Sequence, residues 1–156
     1  MENYMKLEIL ARGENESFAR SAVAAFALPL NPSLNEISDI KTAVSEAVTN
    51  CVVHAYNQTG LGKIFIECRL EKQVFGGILH ITVRDCGCGI ANVEEATEPF
   101  FTTLHSEERS GMGFTIMQTF MDEFSLSSEV GKGTCITMSK RIEAAENQTC
   151  KERLDA

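Results

Sequence analysis

A glutamate and an asparagine four residues apart, Glu46 and Asn50 in Ser45-Glu46-Ala47-Val48-Thr49-Asn50, fall on one face of any helix that carries them. Such a face can hold a proton acceptor and an oxygen ligand for a metal side by side. Three glycine-bearing segments follow: Asp85-Cys86-Gly87-Cys88-Gly89-Ile90, Gly111-Met112-Gly113-Phe114 and Gly131-Lys132-Gly133-Thr134. The first reads as a strand end whose glycines let the backbone lie against a flat ligand. The second opens a helix whose N-terminal amides can receive phosphate. Each segment alone is an ordinary turn signal; the ordered set carries the weight.

The elements that must position these residues follow from periodicity. Met5, Leu7, Ile9 and Ala11 alternate with polar neighbours as in a half-buried strand, and Leu10, on the polar parity, places that strand at an edge which a second subunit covers. A helix is expected from about Glu14 to Leu28, with Phe18, Ala22, Val23 and Phe26 as its apolar stripe and Pro29 ending it. On its other face Glu16 and Arg20 stand one turn apart, either as a solvated ion pair or as a partner-docking face. A second helix spans about Leu34 to Tyr56, with Ile37, Ile40, Val44, Ala47, Cys51 and Ala55 inward and Glu46 and Asn50 on a different face.

Strands are expected at about Lys63–Leu70 and Ile78–Asp85, a helix at Gly111–Met121, and a closing hairpin of Phe124–Val130 and Thr134–Ile142 turned by Gly131-Lys132-Gly133. Leu79, Ile81 and Val83 share a parity that Asp85 continues, so a carboxylate arrives on the core-facing side and requires hydrogen-bond donors. The polar stretch from Ala91 to Ser110 is long for a connection and sits where a lid would close. The expected fold class is α+β: a two-layer sandwich of a mixed, mostly antiparallel sheet with helices on one face.

Composition narrows the function. The 156 residues suit one domain, read as 1–142, with a polar tail over 143–156. A net charge of −8 repels a phosphate backbone, which argues against direct nucleic-acid binding. No apolar run is long enough to span a bilayer and the N-terminus lacks a secretion signal, so a cytoplasmic protein without membrane attachment is expected. Cys51, Cys68, Cys86, Cys88, Cys135 and Cys150 lack the spacing of a disulfide framework and read as reduced thiols. His54, at the border of the second helix's stripe, reads as structural.

The four segments in this order resemble the GHKL ATPases and kinases, with Glu46 and Asn50 in the N box, Asp85 to Gly89 as the D-x-G-x-G box, and Gly111 to Gly113 and Gly131 to Thr134 as later glycine boxes. The resemblance implies a Bergerat-type fold with ATP between sheet and helices. It further implies Asp85 on the adenine amine, Gly87, Gly89, Gly111, Gly113 and Thr134 around the nucleotide, and Asn50 on Mg2+. Arg109 would pair with the terminal phosphate, and Glu46 is the candidate general base.

A chain of this size without sensor or transducer domains is similar to the stand-alone bacterial anti-sigma factors that double as serine kinases, those of sporulation above all. The segments Glu14 to Arg20, Ser45 to Asn50, Phe100-Phe101-Thr102-Thr103 and Glu108 to Ile116 carry that likeness, with Leu104 standing where a lysine is expected. The implied partners are a sporulation sigma factor, held in an ATP-dependent way, and an anti-anti-sigma protein phosphorylated on serine; the edge strand with Leu10 adds a homodimer as the expected assembly. A stress-response anti-sigma kinase and a detached histidine-kinase ATP domain stay open as alternatives.

Overall fold

The computed structural model describes residues 2–98 and 112–144. The chain runs β1 (Asn3–Leu10), α1 (Glu14–Ala27), a single 3-10 turn (Leu28–Leu30), α2 (Leu34–Asn50), a π-helical turn (Cys51–Ala55), β2 (Lys63–Lys72), β3 (Gly77–Asp85), α3 (Val93–Ala96), α4 (Gly113–Phe120), β4 (Glu123–Glu129) and β5 (Gly133–Ile142). The strands form one five-stranded sheet in the order β1-β2-β3-β5-β4. Every neighbouring pair is antiparallel, so the sheet is not mixed as the sequence suggested. Chain crossings explain the difference. Two helices separate β1 from β2, and that even number of passes returns the chain antiparallel, whereas a parallel neighbour needs a single crossover; β2 with β3 and β4 with β5 are joined by short turns, which also give antiparallel pairs.

Strand alternation divides the sheet into two faces. Leu7, Ile66, Val83, Ile136 and Leu126 stand side by side across all five strands and face the helices. The opposite face carries Lys6, Glu8, Glu67, Arg69, Thr82 and Arg84, with the Arg84 guanidinium 4.4 Å from the centre of the Phe65 ring. β1 is an edge strand, and Leu10 on its outward parity is exposed.

α2 is the central helix of the second layer. Ser33 starts it with a capping box: its Oγ accepts from the Glu36 N–H at 3.2 Å while Glu36 Oε2 accepts from the Ser33 N–H at 2.7 Å. Ile40, Ala43, Val44, Ala47 and Val48 are buried along α2, and Cys51 continues that side into the π-helical turn. Ile37 and Ala55, expected on the stripe, are only half-buried.

α1 turns a different face inward than its large side chains suggested. Ala19, Val23, Ala24 and Ala27 are buried, whereas Phe18 is 57% exposed. Alanines let α1 approach α2 closely, and close packing over several residues outweighs burial of one ring.

Lys140 is buried on the helix-facing side of β5. Its Nζ lies 3.1 Å from Asp39 Oδ2 of α2 and donates to the Phe120 carbonyl at 2.7 Å, at the C-terminal end of α4. One cation thereby ties β5 to α2 and satisfies an end carbonyl of α4. Lys140→Ala should lower unfolding free energy by about 2 kcal/mol, because a partly buried carboxylate and a helix-end carbonyl both lose their donor. Urea titration checks this, and an unchanged midpoint would remove the tie.

Candidate nucleotide site

Asp85 ends β3 on the helix-facing parity and is 5% exposed. Its Oδ1 accepts from the Gly87 N–H at 2.9 Å and the Thr134 N–H at 3.2 Å, and its Oδ2 accepts from the Cys51 thiol at 3.5 Å. Burial pushes the Asp85 carboxyl above the ordinary carboxylate range; the Gly87 amide, the Cys51 thiol, the Thr134 amide and the Arg84 charge oppose that rise. Burial, with the Asp85 charge beside it, pushes the Cys51 thiol well up, so it stays protonated and donates. The structure thus holds a carboxylate at a strand end, ringed by donors, where the sequence placed it.

The glycines after Asp85 also clear space within the fold. A Cβ on Gly87 would lie 2.4 Å from the Ala55 carbonyl oxygen, and one on Gly89 would lie 2.2 Å from that of Glu129. Gly133 is equally close to the Asp85 carbonyl. Their missing side chains let the loop close against the π-helical turn and the β4–β5 hairpin. Cys88 completes the closure, its N–H donating to the Ala55 carbonyl at 3.1 Å and its carbonyl accepting from Gly131 at 2.8 Å.

Ser128, Tyr56 and Cys51 belong to the site and escaped the sequence reading. Ser128 Oγ accepts from the Ile90 N–H at 2.8 Å, donates to the Gly133 carbonyl at 3.0 Å and lies 2.8 Å from Thr134 Oγ1. The available signal was its parity, since Phe124 and Leu126 face the core and Ser128 continues their side of β4. The Tyr56 hydroxyl accepts from the Cys86 N–H at 2.8 Å and donates to the Lys63 carbonyl at 2.7 Å. Cys51 reads as core filling by period alone.

Glu46 and Asn50 meet Gly113, the first residue of α4. A Cβ there would lie 3.1 Å from Glu46 Oε2 and 3.4 Å from both side-chain heteroatoms of Asn50. A side chain there would touch Asn50 and press Glu46 Oε2 aside by a few tenths of an ångström. Asn50 Nδ2 is buried without a hydrogen-bond partner among the described residues. A buried amide in that state marks a place where a further polar group belongs. Beside it, the described residues give the N-terminus of α4 no side-chain cap, so among them no capping group satisfies its first amides. An orphaned amide, a glycine cradle and an uncapped helix start together fit a phosphate group with its metal.

Glu16 and Arg20 are more than a solvated pair. Arg20 Nη1 lies 3.0 Å from Glu16 Oε1, and the Ser45 hydroxyl donates to the same oxygen. Ser45 adjoins Glu46, so the pair is tied to the helix that carries the candidate base. Arg20, Leu34, Ile37, Lys41, Ser45 and Glu46 line a groove of about 490 Å³ along α1 and α2. Arg109, Gly111, Leu104 and the Phe100 to Thr103 segment lie outside the described residues. The expected lid contains a one-turn helix, α3, capped by Asn92 accepting from the Glu95 N–H at 3.1 Å.

All five cysteines among the described residues are free thiols, and burial raises Cys68 to about 12. No helix among the described residues is long and apolar enough to cross a membrane.

Comparison with known proteins agrees with this geometry. Residues 9–140 match the family model of the histidine kinase-like ATPase domain. The chain is 54% identical to the anti-sigma F factor of Geobacillus thermodenitrificans, over 91% of this chain and 94% of that one. It is 48% identical to the protein of that name from Bacillus licheniformis, with the same coverage. The crystal structure of the RsbU and RsbW domains of a Mycobacterium tuberculosis protein superposes with a TM-score of 0.62 at 18% identity, covering 90% of this chain and 32% of that larger one. A mycobacterial sensor histidine kinase, MprB, shares the fold with a TM-score of 0.52 at 13% identity, covering 90% of this chain and 99% of that one. The chain belongs to the histidine kinase-like ATPase domain family and, within it, to that of the anti-sigma F factors.

Proposed function

We propose that this chain is an ATP-dependent anti-sigma factor that sequesters a sporulation sigma factor and phosphorylates a serine of the anti-anti-sigma protein that opposes it. The observation that carries the reading is the junction of Glu46, Asn50 and Gly113, which brings a carboxylate, a metal-competent amide and an uncapped helix start to one point beside an open groove. A module that only held a partner has no need of the carboxylate there. Relatives at about half identity carry the name anti-sigma F factor, which supports the sigma-binding half.

In this reading Asp85 accepts from the adenine amine, with Gly87, Gly89 and Thr134 forming the wall around the base. Asn50 is the protein ligand of Mg2+, and Gly111, Gly113 and Arg109 receive the phosphates. When bound, the metal nucleotide supplies the phosphoryl group and neutralises its charge. Glu46 takes the proton from the acceptor serine as its oxygen bonds to phosphorus and the bond to the β-phosphate oxygen breaks. Residues 1–142 act as one domain, followed by the polar tail 143–156. Arg20 and Glu16 dock the protein partners at the groove that leads to Glu46, and the β1 edge is the surface for a second copy. The location that goes with these partners is the cytoplasm.

The test is to incubate the full chain with labelled ATP, Mg2+ and a candidate anti-anti-sigma protein. Acid-stable phosphate on a serine of that protein supports the kinase. Acid-labile phosphate moves the chain to the histidine kinases. No transfer with ATP binding intact leaves a nucleotide-gated binding module.

A further inference from the structure

An ionised carboxylate offers about four lone-pair positions, two on each oxygen. At Asp85 the two positions on Oδ1 are taken by the Gly87 and Thr134 amides, at 2.9 and 3.2 Å. One of the two on Oδ2 is taken by the Cys51 thiol at 3.5 Å. Among the described residues these are its donors, which leaves a single acceptor position whose direction depends on how the carboxylate is turned. Two of its three protein donors are backbone amides set by the loop and the hairpin. The third is a side chain from another element: Cys51 opens the π-helical turn, one residue after Asn50, and is 2% exposed.

We infer that Cys51 is a specificity-determining positioning residue: its thiol donates to Asp85 Oδ2 and aims the one remaining acceptor position at the exocyclic amine of an adenine. The inference rests on the adenine-nucleotide reading above. The Cys51 sulfur lies 3.5 Å from Asp85 Oδ2 on a buried side chain, so the pair is a donor held against an acceptor. Core filling is the competing role. It treats every nucleotide alike, whereas a thiol that aims Asp85 matters only to a base with an amine for Asp85 to accept from.

The experiment compares ATP with purine riboside triphosphate, which has the same ring system without the amine, by calorimetric titration of the full chain. The wild-type protein should prefer ATP by about tenfold or more, the size of one hydrogen bond to a charged group. Cys51→Val, similar in bulk and without a donor, should reduce that preference by about fivefold while leaving the affinity for the amine-free analogue nearly unchanged. Cys51→Ser should restore the preference to within about twofold of wild type, since a hydroxyl donates as a thiol does. Thermal unfolding reports whether each variant is folded, and Cys51→Ala is the second donor-free variant if valine is not tolerated. Equal weakening of both nucleotides, or no change in their ratio, overturns the inference. Wild-type protein that binds both equally overturns the assignment of Asp85 to the amine, and this inference with it, while binding of neither overturns the nucleotide reading as a whole.

Discussion

Glu46→Gln should slow phosphoryl transfer to the protein partner by about 10²–10⁴-fold, the usual contribution of a positioned general base, with ATP affinity held within about threefold. Glutamine matches glutamate in size and keeps a side-chain oxygen, so the fit against Gly113 and Asn50 is preserved while the basic oxygen is lost. Glu46 Oε2 lies 3.1 Å from the space a Gly113 side chain would fill, so it faces the start of the helix proposed to receive the phosphates. It also lines the groove by which an acceptor hydroxyl would arrive. Separate readouts locate the loss: single-turnover transfer for the chemistry and calorimetry for ATP. Transfer at the wild-type rate would remove the base from the mechanism. A fall in ATP affinity equal to the fall in transfer would make Glu46 a binding residue instead.

Much of this site was legible because short-range patterns position it. The period-two run Leu79, Ile81, Val83 carries Asp85 to the core side of β3, and the structure keeps it there at 5% exposure. The four-residue step from Glu46 to Asn50 puts both against Gly113, a residue 63 positions further on whose approach only the fold reveals. Illegible features depend on which element packs where. Phe18 outweighs any single alanine of α1 on a hydropathy scale, yet alanines fit the α1–α2 contact and the ring stays outside. Gly87 and Gly89 read as clearance for a ligand, and the fold adds a second demand on them, clearance for the Ala55 and Glu129 carbonyls. Cys51 has the spacing of a core residue and is one; that its thiol also reaches Asp85 follows from the π-helical turn, which periodicity at 3.6 residues per turn does not reveal.

Asp85→Asn should weaken ATP binding by about 100-fold while leaving the protein folded, because the substitution turns the acceptor at the Oδ2 position into a donor and leaves the Oδ1 side as it is. The carboxamide oxygen can keep the Gly87 and Thr134 amides that Oδ1 now accepts, at 2.9 and 3.2 Å. Its NH2 then stands where Oδ2 was, donor against the Cys51 thiol and donor against the adenine amine. A buried donor facing a donor costs the bond and the desolvation of both groups. Stability moves the other way. Burial raises the Asp85 carboxyl, so its ionisation disfavours the native state once pH climbs through that raised value, and the neutral amide removes this cost.

The same shift fixes the pH dependence of ligand binding. The ionised carboxyl accepts from the amine more strongly than the protonated one, so wild-type affinity for ATP should fall as pH drops through a value above the ordinary carboxylate range, while the Asn variant should show no such step. Calorimetry across the acid range, with unfolding temperature recorded at each pH, reads both trends. An Asn variant that binds ATP like the wild type would show that Asp85 holds the loop and the hairpin together without touching the base. Its buried charge would then be a cost to the fold with no return in recognition, and the four donors and charges arrayed around it would need another purpose.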